Sequence, residues 1–172
     1  AFLLSKIVAL GIANYLKSIG LDGVQIKWPN DILVEGKKIC GVLIENQYRG
    51  NKIENSIVGI GFNVNQTNFE DLATATSLSL LMGKNFQLRE VLIELVYAIE
   101  VLYMQARMRS TLLIEQDYLK GLLFFEEFRK YRVEEELIVG KITGVMPEGK
   151  LKIELKDGTV QLFSFKEIEF IL

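Results

Sequence analysis

Two hydrophobic periodicities divide the chain into blocks, and this division constrains its fold more than any other feature. Apolar residues recur every three or four positions over residues 3–16, 88–106 and 112–122, which predicts three helices, the first with one broad apolar face. Elsewhere, apolar and polar residues alternate in short runs separated by glycines, as they do in strands. Helices and strands in separate blocks favour an α+β fold with a mixed or antiparallel sheet.

The strands of the first half are short and have clear breaks between them. Pro29 ends the first strand, and Gly36-Lys37 is predicted as the turn of a hairpin. Residues 46–52 are predicted as a polar loop, and residues 63–76 as a second loop. The strands themselves are predicted at residues 24–28, 31–35, 38–45 and 57–62.

The last third of the chain has a different pattern. Residues 124–136 are rich in charge, which predicts a boundary between a first domain over 1–130 and a second over 131–172. Beyond it, Pro147-Glu148-Gly149 and Asp157-Gly158 are predicted turns between short alternating runs. Several short strands in so few residues predict a small β-barrel docked on the first domain.

The composition excludes several kinds of site. The 172-residue chain has no histidine, which excludes histidine-dependent triads and leaves a poor ligand set for zinc, so no metal site is predicted. Its single cysteine, Cys40, excludes an internal disulfide framework. A net charge of −2 gives no electrostatic footprint for nucleic acid. With no predicted membrane span or signal peptide, we expect a cytoplasmic protein without membrane or nucleic-acid partners.

The densest polar cluster is Lys27-Trp28-Pro29-Asn30-Asp31, which Lys38 and Gly41 follow. It lies where a predicted strand ends, and the loops at strand ends are favoured places for function. The alternative is an ordinary turn at Asn30-Asp31 with Lys27 as a solvated strand residue.

The second candidate is the segment Gly59-Ile60-Gly61-Phe62-Asn63-Val64-Asn65. Its two glycines allow another molecule to approach the backbone closely, and Asn63 offers a donor and an acceptor. A dinucleotide-binding fingerprint is rejected, because a third glycine is missing and no helix follows at once. A bulged strand with small residues under a helix is the open alternative.

Together these segments resemble the biotin–protein ligases. The family pattern is K-W-P-N-D, then K-x-x-G-hydrophobic-L, then G-x-G-x-N-x-N, and residues 27–31, 38–43 and 59–65 match it in this order. Residues 75–78 are similar to the family's next loop, and the tail is similar to its small SH3-like final domain. The resemblance spans almost the whole chain. It implies a catalytic domain like that of class II aminoacyl-tRNA synthetases, truncated at its N-terminus, followed by an SH3-like barrel.

The resemblance also implies a reaction in two steps. The carboxylate of biotin attacks the α-phosphate of ATP, with Mg²⁺ on the phosphates, to give biotinoyl-AMP and pyrophosphate. A lysine of a biotin carboxyl carrier protein then takes the biotinoyl group. Lys38 is expected to bridge the carboxylate and the α-phosphate. Asp31 is expected to help place the acceptor amine, and whether Asp31 also deprotonates this amine is left open. The expected biotin-binding residues are Lys38, Gly41, Leu43, Gly59 and Gly61, and the expected nucleotide-binding residues are Lys27, Asn30 and Asn63.

The predicted hairpin constrains the two catalytic candidates. With Gly36-Lys37 as its turn, Asp31 and Lys38 lie four residues apart along the strands, or about 13 Å between their Cα atoms. We therefore expect no salt bridge between Asp31 and Lys38.

Alternative functions remain open at the sequence level. The glycine- and arginine-rich loop of the family is absent, so a truncated, non-catalytic fragment or binding module is one alternative, and little ligase activity is expected of this chain alone. A lipoyl ligase is another, although the motif at Trp28 argues against it. A second copy of the chain is a possible partner, because homodimerisation through sheet edges occurs in the family.

Overall fold

The computed structural model describes residues 2–69, 74–108 and 111–171 as four helices and nine strands. The helices are α1 (Phe2–Ser18), α2 (Leu78–Met82), α3 (Leu88–Met108) and α4 (Leu112–Gly121). The strands are β1 (Val24–Lys27), β2 (Asp31–Val34), β3 (Lys37–Arg49), β4 (Lys52–Phe62), β5 (Phe128–Val133), β6 (Glu136–Val145), β7 (Leu151–Leu155), β8 (Val160–Phe163) and β9 (Glu169–Phe170). The predicted α+β class is confirmed.

The first sheet is a meander with the order β1-β2-β3-β4, and each strand is antiparallel to its neighbour. The turn between β2 and β3 is Glu35-Gly36, with φ values of 50° and 77°, the left-handed pair that a tight hairpin requires. The predicted turn at Gly36-Lys37 is therefore wrong by one residue, because β3 already begins at Lys37.

The predicted polar loop over 46–52 is also wrong. Strands β3 and β4 continue through it as a long hairpin that turns at Gly50-Asn51. Both faces of this distal part are largely exposed, so its strands need no alternating apolar residues, and the pattern that marks a half-buried strand is missing. Part of the predicted second loop, residues 70–73, lies outside the described residues.

Helix α1 packs between the first sheet and the other helices. Residues 6–13 are buried without interruption, so α1 is covered on more than the single apolar face predicted for it. Gly11 lies against α3, where an added Cβ would come within 2.8 Å of the Cα of Ile99. No helix in the described part of the chain is long and apolar enough to cross a membrane.

The second sheet has the order β8-β7-β6-β5-β9 and is also antiparallel. Its inner face contributes Tyr131, Ile142, Leu151 and Ile153 to a core that is continuous with that of the first sheet. The predicted boundary at residue 130 falls inside β5, and the division into two domains stays a prediction. What matters for the site is that the turn before β7 reaches back to the loop between β1 and β2.

Candidate functional site

A cleft of about 580 Å³ lies between the two sheets. One wall comes from the end of β1, the loop that follows it, and the starts of β2 and β3. The other wall comes from the segment around β9. The lining residues are Lys27, Trp28, Pro29, Asn30, Asp31, Lys38, Phe165, Lys166, Ile168, Glu169 and Phe170. The cleft thus brings together the whole first motif and Lys38.

The loop between β1 and β2 is held from both sides. The buried indole of Trp28 donates through Nε1–H to the carbonyl of Gly149, at 3.0 Å, in the turn before β7. Asn30 donates through Nδ2 to the carbonyl of Val42 at 2.7 Å, and its own carbonyl accepts from the Val42 amide at 2.9 Å. The Trp28–Pro29 peptide bond is cis. The amide nitrogen of Asn30, an expected nucleotide contact, is therefore occupied in fixing the loop.

Lys38 and Asp31 form an ion pair, with Nζ and Oδ1 2.6 Å apart. The expectation that they would not pair is wrong, and the reason is the register of β2 and β3. Lys38 lies opposite Leu33, only two residues from Asp31, which is about 6.6 Å along the strand and within reach of a lysine side chain. A bulge at Ile39 then places Lys38 and Gly41 on the same face of the sheet, although they are an odd number of residues apart.

Gly41 provides the space that this ion pair occupies. It lies opposite Asp31, and an added Cβ would come within 3.2 Å of both Cε and Nζ of Lys38 and 3.4 Å of Oδ1 of Asp31. The side chains of Lys38 and Asp31 are 47% and 24% exposed. A pair this accessible to water contributes about 1 kcal/mol or less to folding, so it can exchange partners with an incoming anion at little cost.

An open glycine surface adjoins the pair. Gly41 lies opposite Gly61, and Leu43 lies opposite Gly59, so the four residues share one face of β3 and β4. A Cβ on Gly59 would meet only Leu43, at 3.6 Å from its carbonyl oxygen, and a Cβ on Gly61 only the Gly41 carbonyl oxygen at 3.8 Å. Leu43 is 64% exposed. A ligand can therefore lie flat on this backbone beside the Lys38 ammonium.

A smaller cavity of about 220 Å³ lies next to this surface and shares Pro29, Asn30 and Phe165 with the cleft. Leu43 is among its lining residues. A larger groove of about 650 Å³ lies between α1, α3 and α4, and none of the predicted site residues lines it. Of the predicted residues, Lys27, Asn30, Asp31, Lys38 and Leu43 line the cleft or the small cavity, and Gly41, Gly59, Gly61 and Asn63 line neither.

The backbone of Lys38 is fixed by residues that the motif search did not single out. Its amide donates to the carbonyl of Thr74 at 2.7 Å, and its carbonyl accepts from the amide of Thr76 at 2.9 Å. Asn63 in turn donates through Nδ2 to the Thr76 carbonyl at 3.1 Å. No local pattern signals this parallel pairing, and only the resemblance at residues 75–78 pointed to the segment.

The other charged and reactive groups differ in their surroundings. Lys27 lies over the ring of Phe170, with Nζ 5.8 Å from its centre. Burial raises the pKa of Cys40 to about 12, so this thiol is neutral near pH 7 and packs as a core residue. Within the described residues, no group of three or more Asp, Glu, Cys or His side chains is placed to hold a metal ion.

Comparisons with known proteins identify relatives of this chain. Residues 2–63 match the model of the Biotin/lipoate A/B protein ligase family. The bifunctional ligase/repressor BirA of Bacillus subtilis is 30% identical over 168 residues, which cover 94% of this chain and 51% of that protein. The apo structure of biotin protein ligase from Aquifex aeolicus superposes with a TM-score of 0.79 at 27% identity, over 99% of this chain and 75% of that one. Its complex with biotin and ATP gives 0.77 at 28% identity, over 99% and 71%.

The match over residues 2–63 indicates the class of the biotin and lipoate protein ligases. Within this class, the chain is a homologue of the biotin protein ligases and includes their C-terminal portion. It spans about half the length of the curated relatives it matches.

Proposed function

We propose that this chain carries the active site of an ATP-dependent biotin–protein ligase, which forms biotinoyl-AMP and transfers biotin to a lysine of a biotin carboxyl carrier protein. The observation that carries the proposal is the exposed Lys38–Asp31 ion pair beside the glycine surface. This arrangement offers one cation to an anionic substrate and one carboxylate to an amine, and the two steps of the reaction need these groups in turn.

In the first step, a carboxylate attacks a phosphate that is already negative. At roughly 4 Å and an effective dielectric near 20, each such like-charge contact costs on the order of 4 kcal/mol. The ammonium of Lys38 offsets this cost when it leaves Asp31 and lies between the two anions. Lys27 supplies a second positive charge from the end of β1, for the nucleotide phosphates.

Biotin binds on the glycine surface in this proposal. Gly59 and Gly61 form the floor, because no side chain there separates a ring from the backbone. Gly41 and Leu43 offer backbone groups on the neighbouring strand, within reach of Lys38. Asn63 contacts the adenylate while its amide nitrogen holds the segment that fixes the Lys38 backbone.

In the second step, Asp31 acts on the acceptor. Once Lys38 is engaged with the adenylate, the Asp31 carboxylate is free to accept a hydrogen bond from the lysine amine of the carrier protein. It places that amine for attack on the biotinoyl carbonyl and favours loss of its proton. The bond from nitrogen to the carbonyl carbon forms, and AMP leaves.

Magnesium enters this reaction with the nucleotide. Mg²⁺ is commonly held by substrate phosphates with one or two protein carboxylates, rather than by a cage of protein ligands. The described residues fit this mode, because the cleft holds Asp31 and Glu169 but no cluster of carboxylates. The ion would supply charge neutralisation on the phosphates, in addition to the charges of Lys27 and Lys38.

The finer description of the fold belongs to the same proposal. A catalytic domain like that of class II aminoacyl-tRNA synthetases is supported by the antiparallel first sheet, with α1 packed against it. An SH3-like second domain is supported by the five short antiparallel strands of the second sheet. A cytoplasmic location and a homodimer formed through sheet edges complete the proposal.

Lipoyl transfer is the second candidate, because the matching family model covers biotin and lipoate ligases alike. Competition between biotin and lipoate for the same chain separates the two. Displacement of bound biotin by excess lipoate would favour the lipoyl reaction.

The direct test is calorimetric titration of the chain with biotin and with ATP. Lys38→Ala should abolish binding of both ligands, because the shared cation is lost. Lys37→Ala is the matched control, since it removes the same charge one residue away and outside the cleft. A folded chain that binds neither ligand, or equal binding by the two variants, would overturn the proposed function.

A further inference from the structure

The wall of the cleft that comes from the second sheet carries a lysine of its own. Lys166 lines the cleft on the side opposite the first motif, in the turn between β8 and β9. Neither its position in the sequence nor the motifs considered above single it out. Its surroundings differ from those of an ordinary surface lysine in two ways.

The first difference is the backbone of Lys166. Its φ of 71° lies in the left-handed region, which costs an L-residue other than glycine about 1–2 kcal/mol. The turn is closed by the Glu167 amide, which donates to the Ser164 carbonyl at 3.2 Å, and by the Ser164 amide, which donates to Oε2 of Glu167 at 2.6 Å. Strained residues of this kind can mark functional sites. Glu35, Phe124, Glu126 and Glu134 also have positive φ, so the role of Lys166 rests on the charges of the cleft.

The second difference is the balance of charge in the cleft. Its charged residues are three lysines and two carboxylates. Asp31 is paired with Lys38, and Glu169 is paired with Arg132 at 3.0 Å. Over the described ranges, Lys27 and Lys166 have no carboxylate within salt-bridge distance, and their ammonium groups lie over the rings of Phe170 and Phe165. Two unneutralised ammonium groups therefore come from opposite walls of one cleft.

We propose that Lys166 binds the phosphate chain of the nucleotide, so that the second sheet completes the ATP site across the cleft from Lys27. This inference rests on the proposed ATP-dependent function. A lysine acts on phosphate as a flexible point charge, which suits a chain of phosphates held between two walls. Biotin, which carries one carboxylate, is held by the first sheet and needs no charge from Lys166.

Four variants of the full chain test this by calorimetric titration with ATP and, separately, with biotin. Lys166→Gln removes the charge, and Lys166→Gly also relieves the left-handed backbone. Lys166→Arg keeps the charge. Lys156→Gln is the matched control, because it removes a lysine from the turn that follows β7, outside the cleft. We expect Lys166→Gln and Lys166→Gly to weaken ATP binding about tenfold, the loss of one charged hydrogen bond, and Lys166→Arg and Lys156→Gln to stay near wild type.

Thermal unfolding of Lys166→Gly separates binding from a structural role. Its melting temperature should equal or exceed that of wild type while its ATP affinity falls, and the biotin affinity of all four variants should be unchanged. If Lys166→Gln and Lys166→Gly bind ATP as wild type does, while Lys38→Ala loses it, the role of Lys166 is refuted and the proposed function stands. If the folded wild-type chain binds no ATP, both are overturned.

Discussion

The open glycine surface leads to a sharp prediction for Gly61→Ala. A Cβ at position 61 would meet only the Gly41 carbonyl oxygen, at 3.8 Å, an ordinary van der Waals contact. The backbone there is extended strand, which alanine adopts without strain. The substitution should therefore raise the free energy of unfolding by about 0.5–1 kcal/mol, because the unfolded chain loses freedom.

The same methyl group should obstruct biotin. It would project from the proposed floor of the pocket into the volume that the ligand fills. Adding one carbon to a well-packed contact costs about 1–3 kcal/mol, which corresponds to a dissociation constant roughly fivefold to hundredfold larger. Gly61→Ala should thus be more stable than wild type and bind biotin more weakly, so that one methyl group raises stability and lowers affinity.

The assay pairs urea denaturation with calorimetric titration of biotin. Gly144→Ala is the control, because Gly144 lies within β6 of the second sheet and an added Cβ there meets nothing within 4 Å. It should show a similar gain in stability and unchanged biotin affinity. Wild-type biotin affinity in a folded Gly61→Ala protein would refute the assignment of the glycine surface as the floor of the pocket.

Three further predictions follow from single contacts. Gly11→Ala should lower the free energy of unfolding, measured by urea denaturation, by about 1–3 kcal/mol, because its Cβ would lie 2.8 Å from the backbone of Ile99. A change below about 0.5 kcal/mol would contradict this close crossing of α1 and α3. Asp31→Asn should change stability by about 1 kcal/mol or less by the same measurement, since the pair with Lys38 is accessible to water. A loss of roughly 3 kcal/mol would instead indicate a buried structural pair. Burial raises the pKa of Cys40 from 9.0 to about 12, so the unfolded chain releases the thiol proton at lower pH than the folded chain does. The stability that the neutral thiol contributes is therefore complete below the unfolded pKa and is lost as pH rises towards 12. Cys40→Ala should lose less stability than wild type between pH values of about 8 and 10.5, and equal losses would refute the assignment.

Helices α1, α3 and α4 were predictable because their periodicity is local, whereas the short helix α2 was not predicted. Burial of α1 and α3 requires apolar residues at helical spacing, and that spacing is visible in residues 3–16 and 88–106 without any tertiary information. The hairpin of β2 and β3 was found for the same reason, although its turn was misplaced by one residue. Strands without a buried face, such as the distal parts of β3 and β4, leave no such pattern.

The assignment of the site residues stays a prediction, whereas the geometry expected for two of them was wrong. The motifs identified Lys27, Asp31 and Lys38, and the structure brings all three to one cleft. The ion pair between Asp31 and Lys38 depends on a bulge at Ile39, and a single extra residue in one strand reverses which face its neighbours occupy. Alternation along one strand cannot reveal such an insertion, because it depends on the register with the partner strand.

Contacts between distant segments leave no local pattern in the sequence. The backbone of Lys38 is held by Thr74 and Thr76 through main-chain groups, which every residue type possesses. The second wall of the cleft, with Lys166, was invisible for the same reason, since it depends on how the second sheet lies against the first.

The hydrogen bond from Trp28 to Gly149 joins residues 121 positions apart, and it makes the second sheet part of the support for the first motif. A genetic screen for loss of biotin binding would therefore recover substitutions in the core of the second sheet, at residues such as Tyr131 and Ile153, which are fully buried and line neither the cleft nor the small cavity. Such variants would resemble folding defects in a stability assay and active-site defects in a growth assay. A map of deleterious substitutions would trace the path by which the loop is held, as well as the surface that binds substrate.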